Sequence, residues 1–361
     1  MNTGSARKDA AYCTHVAKDA IIEIEEEFRC TVAGVVTDNE RKMQKMRENL
    51  KESDPDFTVY SCSSHQLNLL GCDITISAIV NQVVEVNKHF RNHHKPTALL
   101  TACAGSVKPV LPCATRWNSQ LECLSSYVTN RPFMCTIVND DENAIDAHIT
   151  KIVNNVGLFR EVKNHIEQFH PIARALDRAQ SDSATLADTC EDWLDLLESP
   201  NLAVFNSQIK KRFNQAMTPA HFLANLLDPK YLGAKLSPEQ KEKGREVLDS
   251  YSEDLVPLTY QLAAKLEPFL VRIFWPSFGN MKSSAWYQCL KGETRDPNML
   301  RLCDLAAKLL SMPPSSASVE RVFSNFAFVQ NKLRNRLGVD KAGKLVTCFR
   351  ALCAGIDSED W

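Results

Sequence analysis

Two short segments near the N-terminus, residues 31–36 and 57–61, are rich in β-branched and apolar residues. Runs of this kind are typical of strands buried in a parallel sheet. Residues 8–28, before the first segment, have helical periodicity. A charged helical segment over 40–51 separates the two segments, and another helix starts near residue 62, after the second. The order helix, strand, helix, strand, helix predicts a small α/β layer at the start of the chain.

Most of the remaining chain has the periodicity of helices. Between about residues 75 and 300 the apolar residues recur at helical spacing, for example over 193–213. Loops are expected over 104–116, 129–141 and 180–190. The pattern predicts a mainly α fold with a small α/β part.

The composition excludes several classes of protein. The 361 residues carry a formal net charge of −2, which excludes a uniformly basic protein that wraps nucleic acid but leaves a local basic face open. None of the 13 cysteines belongs to a CxxC pair, so we expect reduced thiols and neither a zinc ribbon nor a thioredoxin-type motif. No apolar run reaches the roughly 18 residues of a membrane span, so no membrane partner is expected.

The last part of the chain contains two amphipathic segments. One extends from about residue 315 to 334, and the other begins near residue 340. Their apolar faces comprise Val319, Val322, Phe323, Phe326, Val329 and Leu333 on the first and Ala342, Leu345, Val346, Phe349 and Leu352 on the second. Because burial of one large apolar side chain stabilises by ~1.5–3 kcal/mol, we expect part of this surface to meet the core and the rest a second copy of the chain.

A long motif lies at the start of the first of these segments. Residues 310–324 have the sequence LSMPPSSASVERVFS, and residues 331–337 have the sequence NKLRNRL. This motif resembles the C-terminal signature of the hAT transposases, Pro-x-Ser-Ser-Ala-x-x-Glu-Arg-x-Phe-Ser. Shorter segments resemble further motifs of that family in the same order: VTDN at 36–39, CSSH at 62–65 and LPCATRWNS at 111–119. The resemblance extends over about residues 10–353.

The resemblance implies a ribonuclease-H-like core that a large all-α insertion interrupts. In that family three acidic residues hold two divalent metal ions, which stabilise the attacking and leaving oxygens during DNA strand transfer. Asp38 matches the second acid and Glu320 the third. The implied domains are a partial ribonuclease-H-like core over 1–75, a helical insertion over 76–295, and a C-terminal dimerisation region over 296–355 that completes the core.

The chain departs from the family pattern at the first acid. Only 37 residues precede Asp38, and many of them have helical periodicity, so the strand meander that carries the first aspartate has no room. Asp9 and Asp19 lie in helix-like sequence and are not expected to replace it. We therefore expect an incomplete core, no metal cofactor and no catalysis by this sequence. Mg²⁺ or Mn²⁺ is expected only in a longer product that supplies the first aspartate.

The four motif residues at the implied site have simpler alternatives. Asp38 at a strand-to-helix junction is also suited to capping the next helix, which is worth ~1 kcal/mol. Glu320 near a helix N-terminus is also an ordinary favourable charge. Cys62 and His65 have CxxH spacing, but a zinc site needs about four ligands. For this pair the resemblance implies a local contact that shapes the site.

Arg116 and Trp117 are the residues expected to bind DNA. An aromatic ring beside a guanidinium group suits an unpaired base, because stacking is worth ~1–3 kcal/mol per base. The resemblance implies that this pair contacts DNA near a hairpin. The alternative is a core tryptophan beside a salt-bridged arginine, and the sequence leaves both open.

Two basic segments are suited to phosphate contact but are also typical of solvated helix ends. One is KHFRNHHK at residues 88–95. The other comprises Lys332, Arg334, Arg336, Lys341 and Lys344.

These features favour a transposase-derived, domesticated protein without catalytic activity that dimerises through its C-terminal hAT region. The expected dimerisation residues are Val322, Phe323, Phe326, Val329, Leu345, Phe349 and Leu352. The expected partner is a second copy or a related hAT protein, DNA is left open as a further partner, and the family implies a nuclear location. One alternative is the C-terminal fragment of an active hAT DNA transposase. Another is a helical scaffold that binds regulatory proteins.

Overall fold

The computed structural model describes residues 7–54, 57–113, 117–140, 145–269, 281–330 and 337–354. The described chain is mainly helical with one pair of short parallel strands. This confirms the predicted mainly α fold with a small α/β part. The elements in chain order are α1 (Ala10–Phe28), β1 (Gly34–Thr37), α2 (Arg41–Ser53), β2 (Thr58–Ser61), α3 (Ser63–Ile74), α4 (Ser77–Asn92), α5 (His94–Ala102), α6 (Asn118–Asp140), α7 (Ala147–Val153), α8 (Val156–Ala179), α9 (Leu186–Glu198), α10 (Asn206–Ala216), α11 (Pro219–Leu227), α12 (Pro238–Asp249), α13 (Val256–Ala264), α14 (Ser283–Glu293), α15 (Pro297–Leu309), α16 (Ala317–Val329) and α17 (Val339–Ala354).

Polar side chains fix where several of these helices begin. Thr185 precedes α9, and its hydroxyl accepts a hydrogen bond from the backbone N–H of Asp188, whose carboxylate in turn accepts from the backbone of Thr185. Ser237 and Gln240 form the same reciprocal pair at the start of α12. Such a pair satisfies backbone donors that have no partner inside the helix, so it sets the first residue of the helix.

The two strands lie side by side in parallel, with α2 between them in the chain. Gly34 pairs with Thr58 at one end and Thr37 with Ser61 at the other. A side chain at position 34 is excluded, because a Cβ atom there would lie 2.3 Å from the carbonyl oxygen of Thr58. Both predicted strands are therefore present. β1 ends inside the VTDN motif, directly before Asp38, and β2 ends directly before the CSSH motif.

The first strand begins at Gly34, although the sequence predicts a start at residue 31. The backbone N–H of Val32 donates to Glu25 Oε1 of α1 at 2.8 Å. The segment before Gly34 is thus bound to α1 by a side chain, and a backbone group used in this way is not available to a strand partner.

Most of the described helices pack around two apolar cores. The first extends from α3 to the segment after α11 and includes Phe169 and Trp193, both fully buried. The second contains Tyr60 of β2 together with Leu227 of α11, Tyr287 of α14 and Leu302 of α15. Helices from the C-terminal part of the chain therefore share one core with the sheet at its start.

A polar cluster around Arg178 joins α8, α9 and the segment after α11. The Arg178 guanidinium contacts Asp188 Oδ1 at 2.8 Å and Asp192 Oδ1 at 3.0 Å. The Tyr231 hydroxyl donates to Asp188 Oδ1 at 2.6 Å, and Lys230 Nζ lies 3.6 Å from the same oxygen. We call these five residues the Arg178 cluster. Two consecutive helices and a segment about 50 positions further along the chain meet there.

In the part of the chain that the structure describes, no single helix is long and apolar enough to cross a membrane. The consecutive helices α3 and α4 pass the same test only as a pair, and they are bent by 91° at the break between them.

Candidate functional site

The ends of β1 and β2 meet the long C-terminal motif. Residues 313–316, which we call the bridging segment, lie against the end of β2 and the start of α3. The Tyr60 hydroxyl donates to the carbonyl oxygen of Pro313 at 2.8 Å, and the backbone N–H of Ser63 donates to that of Pro314 at 3.0 Å. Chain segments about 250 positions apart are thereby brought together at the strand ends.

Cys62 is the centre of this contact. Its backbone N–H donates to the carbonyl oxygen of Thr37 at 2.7 Å, and its buried Sγ atom accepts from the backbone N–H and the hydroxyl of Ser316, each at 3.5 Å. The Ser316 hydroxyl also lies 3.3 Å from Glu320 Oε1. A line of hydrogen bonds thus connects the residue before Asp38 with Glu320.

His65 does not join Cys62 in this contact. Its side chain is exposed, one turn further along α3. Cys62 contacts Ser316 and not His65, and a site-shaping role for the Cys62–His65 pair stays a prediction.

Asp38 is exposed at the C-terminal end of β1. Its Oδ1 atom accepts from the backbone N–H of Glu40 at 3.3 Å, just before α2 begins. The N-cap of α2 is Glu40, and no side chain among the described residues caps this helix by a hydrogen bond, so Asp38 makes a local turn and not the helix cap that the alternative predicts. Glu320, likewise exposed, lies in the first turn of α16.

Arg47, which the sequence analysis did not identify, holds the segment that contains Asp38. Its guanidinium donates to Thr37 Oγ1 at 2.5 Å, to the Asp38 carbonyl oxygen at 2.7 Å and to Asn39 Oδ1 at 2.8 Å. Burial lowers the pKa of Arg47, while the charge of Asp38 acts in the opposite direction. The only sequence signal was an arginine within a charged amphipathic helix, which is common on protein surfaces.

The described residues do not fit a two-metal centre. Among them, no three histidine, cysteine, aspartate or glutamate side chains lie where they could hold one metal ion. Asp38 and Glu320 each accept a local hydrogen bond, and a metal pair needs several carboxylates around it. The metal-binding roles of these two residues stay predictions, and no reaction step is derived from them.

Trp117 lies in the first apolar core. Its side chain is 2% exposed, and its ring packs on Phe169 with the ring centroids 4.7 Å apart. The indole N–H donates to Thr75 Oγ1 at 3.1 Å. A Cβ atom on Gly71 would lie 2.2 Å from the ring, so the absence of a side chain at position 71 provides the space for it. This geometry fits the core alternative.

The DNA-binding role of the pair stays a prediction. Arg116 lies outside the described residues. Trp117, as it lies here, has no ring face open to a base, because Phe169 and α3 cover the indole.

The predicted dimerisation residues are divided between the inside and the outside of a helical hairpin. We call α16 and α17 the C-terminal hairpin. Val329 is buried with Ala342 and Val346, and the partly buried side chains of Val322 and Phe326 pack around them. Phe323, Leu345 and Leu352 are exposed, at 68%, 48% and 68%. Phe349 is half-buried, with its ring 6.2 Å from that of the exposed Phe328.

Hydrogen bonds attach the first helix of this hairpin to the end of α8. The Ser315 hydroxyl donates to the carbonyl oxygen of Ala179 at 2.7 Å. Arg321 donates to the carbonyl oxygen of Gln180 at 2.8 Å and forms an ion pair with Asp182. The C-terminal hairpin is therefore held at its α16 end, and α17 packs mainly on α16.

The first basic segment makes local contacts, whereas Lys341 and Lys344 of the second are exposed. His89 and His93 stack with their ring centroids 4.4 Å apart, and Arg91 donates to the carbonyl oxygen of Pro109 at 3.3 Å. Lys332, Arg334 and Arg336 lie outside the described residues.

Comparison with known protein families identifies the C-terminal part of the chain. Residues 265–351 match the hAT family C-terminal dimerisation region. No curated protein matches the chain. The match includes α14 to α16 and most of α17, and it confirms the predicted relation to the hAT transposases.

Proposed function

We propose that this hAT-transposase-related chain works by associating with a second copy of itself through the C-terminal hairpin. One observation carries the proposal: large apolar side chains are exposed on both helices of the hairpin, inside or next to the matched dimerisation region. They are Val319, Phe323 and Phe328 on α16 and Leu345 and Leu352 on α17.

The hairpin cannot bury these side chains itself. Among its described residues, the buried members of its own core are Val329, Ala342 and Val346, which are small or medium in size. Val319 and Phe323 lie one turn apart on α16, and Leu345 and Leu352 lie on one side of α17. Large apolar side chains exposed together on one small unit mark a protein interaction site in soluble proteins. In a symmetric pair both copies contribute the same surface, so each exposed apolar side chain is buried in both copies. Self-association therefore buries the most apolar area that this surface allows.

Substituting two exposed residues tests the proposal. We expect Phe323→Asp combined with Leu352→Asp to raise the dissociation constant of the dimer about 100-fold or more, since loss of ~3 kcal/mol of apolar burial corresponds to two factors of ten. Analytical ultracentrifugation of the full chain over a concentration series measures this constant. Both positions are exposed, so the circular dichroism and melting temperature of the monomer are expected to stay unchanged.

The matched control is Phe28→Asp on α1. Phe28 is 66% exposed, about the same as Phe323 at 68%, but it lies far from the hairpin in the sequence. The control variant is expected to dimerise like the original chain. A strictly monomeric original chain at high concentration would contradict the proposal and would favour the scaffold alternative, in which the surface binds another protein.

We also propose that the β1–α2–β2 unit belongs to a ribonuclease-H-like core that does not catalyse strand transfer in this chain. The parallel strand pair and the contacts of Cys62 with Thr37 and with Ser316 of the bridging segment at the strand ends support the first part. Among the described residues, no three histidine, cysteine, aspartate or glutamate side chains lie where they could hold a metal ion, which supports the second part.

A DNA nicking assay with Mg²⁺ or Mn²⁺ tests the lack of catalysis. We expect no metal-dependent cleavage above the level of the Asp38→Ala variant. Cleavage by the original chain that this variant lacks would overturn the proposal and would favour the alternative of an active transposase.

A further inference from the structure

The outward face of α17 carries a stripe of four exposed residues. Lys341, Leu345, Cys348 and Leu352 follow one another at intervals of four, three and four positions, which places them on one side of a helix. All four side chains are exposed. The neighbouring face of the helix is buried against α16 through Ala342 and Val346, so the stripe has no cover within the described hairpin.

We infer that two copies of the chain pair through antiparallel α17 helices, with Leu345 of one copy against the partner's Leu352 and the two Cys348 side chains beside the two-fold axis. This inference rests on the self-association proposed above. The occupant is a second copy because Leu345 and Cys348 lie inside the matched dimerisation region, which ends at residue 351, one position before Leu352.

The spacing of the stripe suits a two-fold axis at its centre. In an antiparallel pair, residues at equal distances on either side of the axis face each other. Leu345 and Leu352 lie on opposite sides of Cys348, and seven residues of helix extend about 10.5 Å. Each pair of leucines then forms an apolar layer roughly 5 Å from the axis, with the cysteines between the two layers.

Charge favours the antiparallel orientation over the parallel one. Lys341 and Lys344 are exposed in the first half of α17, where the helix dipole is positive. A parallel pair would place both lysines beside their own counterparts and both positive helix ends together. An antiparallel pair places them near the C-terminal end of the partner helix, where the dipole is negative.

Oxidative cross-linking of the full chain tests the position of the axis. Diamide converts two thiols into one disulfide and itself takes up the two hydrogens and two electrons. The bond needs the two Cα atoms within about 7 Å, so Cys348 is expected to link the copies into a species of twice the 40.6 kDa chain mass on a non-reducing gel. The Cys348→Ser variant is expected to lose this species. Cys289→Ser, which changes an exposed cysteine of α14, is expected to retain it.

Two further variants test the orientation. In the Cys348→Ser background, Leu345→Cys and Leu352→Cys are prepared as separate proteins. The antiparallel pair predicts cross-linking when the two proteins are mixed and little when either is oxidised alone. The parallel pair predicts the reverse.

Light scattering under reducing conditions separates failure of this inference from failure of the proposed function. If the chain is a dimer but its cross-link persists without Cys348, or no cross-link forms, the inference is overturned and the proposed self-association is still supported. A monomer overturns both. A dimer with the Cys348-dependent link and the mixed-variant link supports both.

Discussion

Replacing Trp117 by alanine is expected to lower the free energy of unfolding by about 3–5 kcal/mol, the range for removal of a large aromatic side chain from a core. The indole is 2% exposed, packs on Phe169 and donates a hydrogen bond to Thr75. Its removal leaves a cavity beside α3 and takes one donor from the Thr75 hydroxyl, which still contacts the carbonyl oxygen of Gly71. Urea unfolding followed by circular dichroism at 222 nm, the ordinary wavelength for helix, measures the change.

Gly71→Ala provides the matching test of this contact. In the original chain the added methyl group would meet the indole ring at 2.2 Å, so the variant is expected to be destabilised. In the Trp117→Ala background the ring is absent, and alanine favours helix over glycine by ~1 kcal/mol. The same substitution is then expected to be neutral or stabilising. Equal effects in both backgrounds would contradict the packing described here.

The same geometry determines how a DNA-binding role for Trp117 can be tested. Loss of binding in Trp117→Ala would report the loss of stability as well as any loss of a DNA contact. Trp117→Phe keeps an aromatic ring in the core and removes the indole N–H that Thr75 accepts. It is therefore the better variant for a DNA-binding measurement.

The sequence predicted the elements of the fold better than their ends. The apolar, β-branched runs predicted both strands. They did not show that Glu25 binds the backbone N–H of Val32, so that the first strand begins later than predicted. The loop predicted over residues 129–141 is wrong, because α6 continues through Pro132 to Asp140. Asn130 in that turn exchanges hydrogen bonds with the backbone of Val107 at 2.8 Å. This tertiary contact, which no local pattern shows, outweighs the proline.

The positions that form the candidate site could be predicted where they belong to a sequence motif. The C-terminal signature and the CxxH segment indicated positions that meet in space, at Cys62 and Ser316. The motif did not show that His65 faces solvent or that Trp117 is buried, because both depend on which helix covers which face. Arg47 and Arg178 belong to no motif, and their partners come from separate segments. Such clusters can be recognised only after the chain has folded.

Arg178→Ala is expected to produce the second large effect, a loss of about 2–4 kcal/mol in the free energy of unfolding. Removing one partner of a buried ion pair costs ~3–5 kcal/mol, because the other charge stays buried without compensation. We expect a loss in the free energy of unfolding near or below the lower end of that range, because the Arg178 side chain is 43% exposed. The side chains of Asp188 and Asp192 are 6% and 11% exposed.

The size of this loss is expected to depend on pH through Asp192. Burial raises the pKa of Asp192 to about 7, against the opposing attraction of Arg178. A carboxyl group with a raised folded-state pKa binds its proton more tightly in the folded chain, so this group costs stability as pH rises from about 4 to about 7. Asp188 behaves in the opposite way. Burial raises its pKa, but hydrogen bonding from Tyr231 and the charges of Lys230 and Arg178 lower it overall, so its contribution is lost only in acid.

Arg178→Ala should therefore be less harmful at about pH 5.5 than at about pH 8, since a protonated Asp192 leaves no second buried charge to compensate. Urea unfolding of both proteins at the two pH values measures the difference. Arg174→Ala is the matched control, because Arg174 is an exposed arginine of α8, one turn before Arg178. Its effect is expected to be small and independent of pH. If the loss in Arg178→Ala were equally small, or larger in acid, Arg178 would not be the residue that compensates the two buried carboxylates.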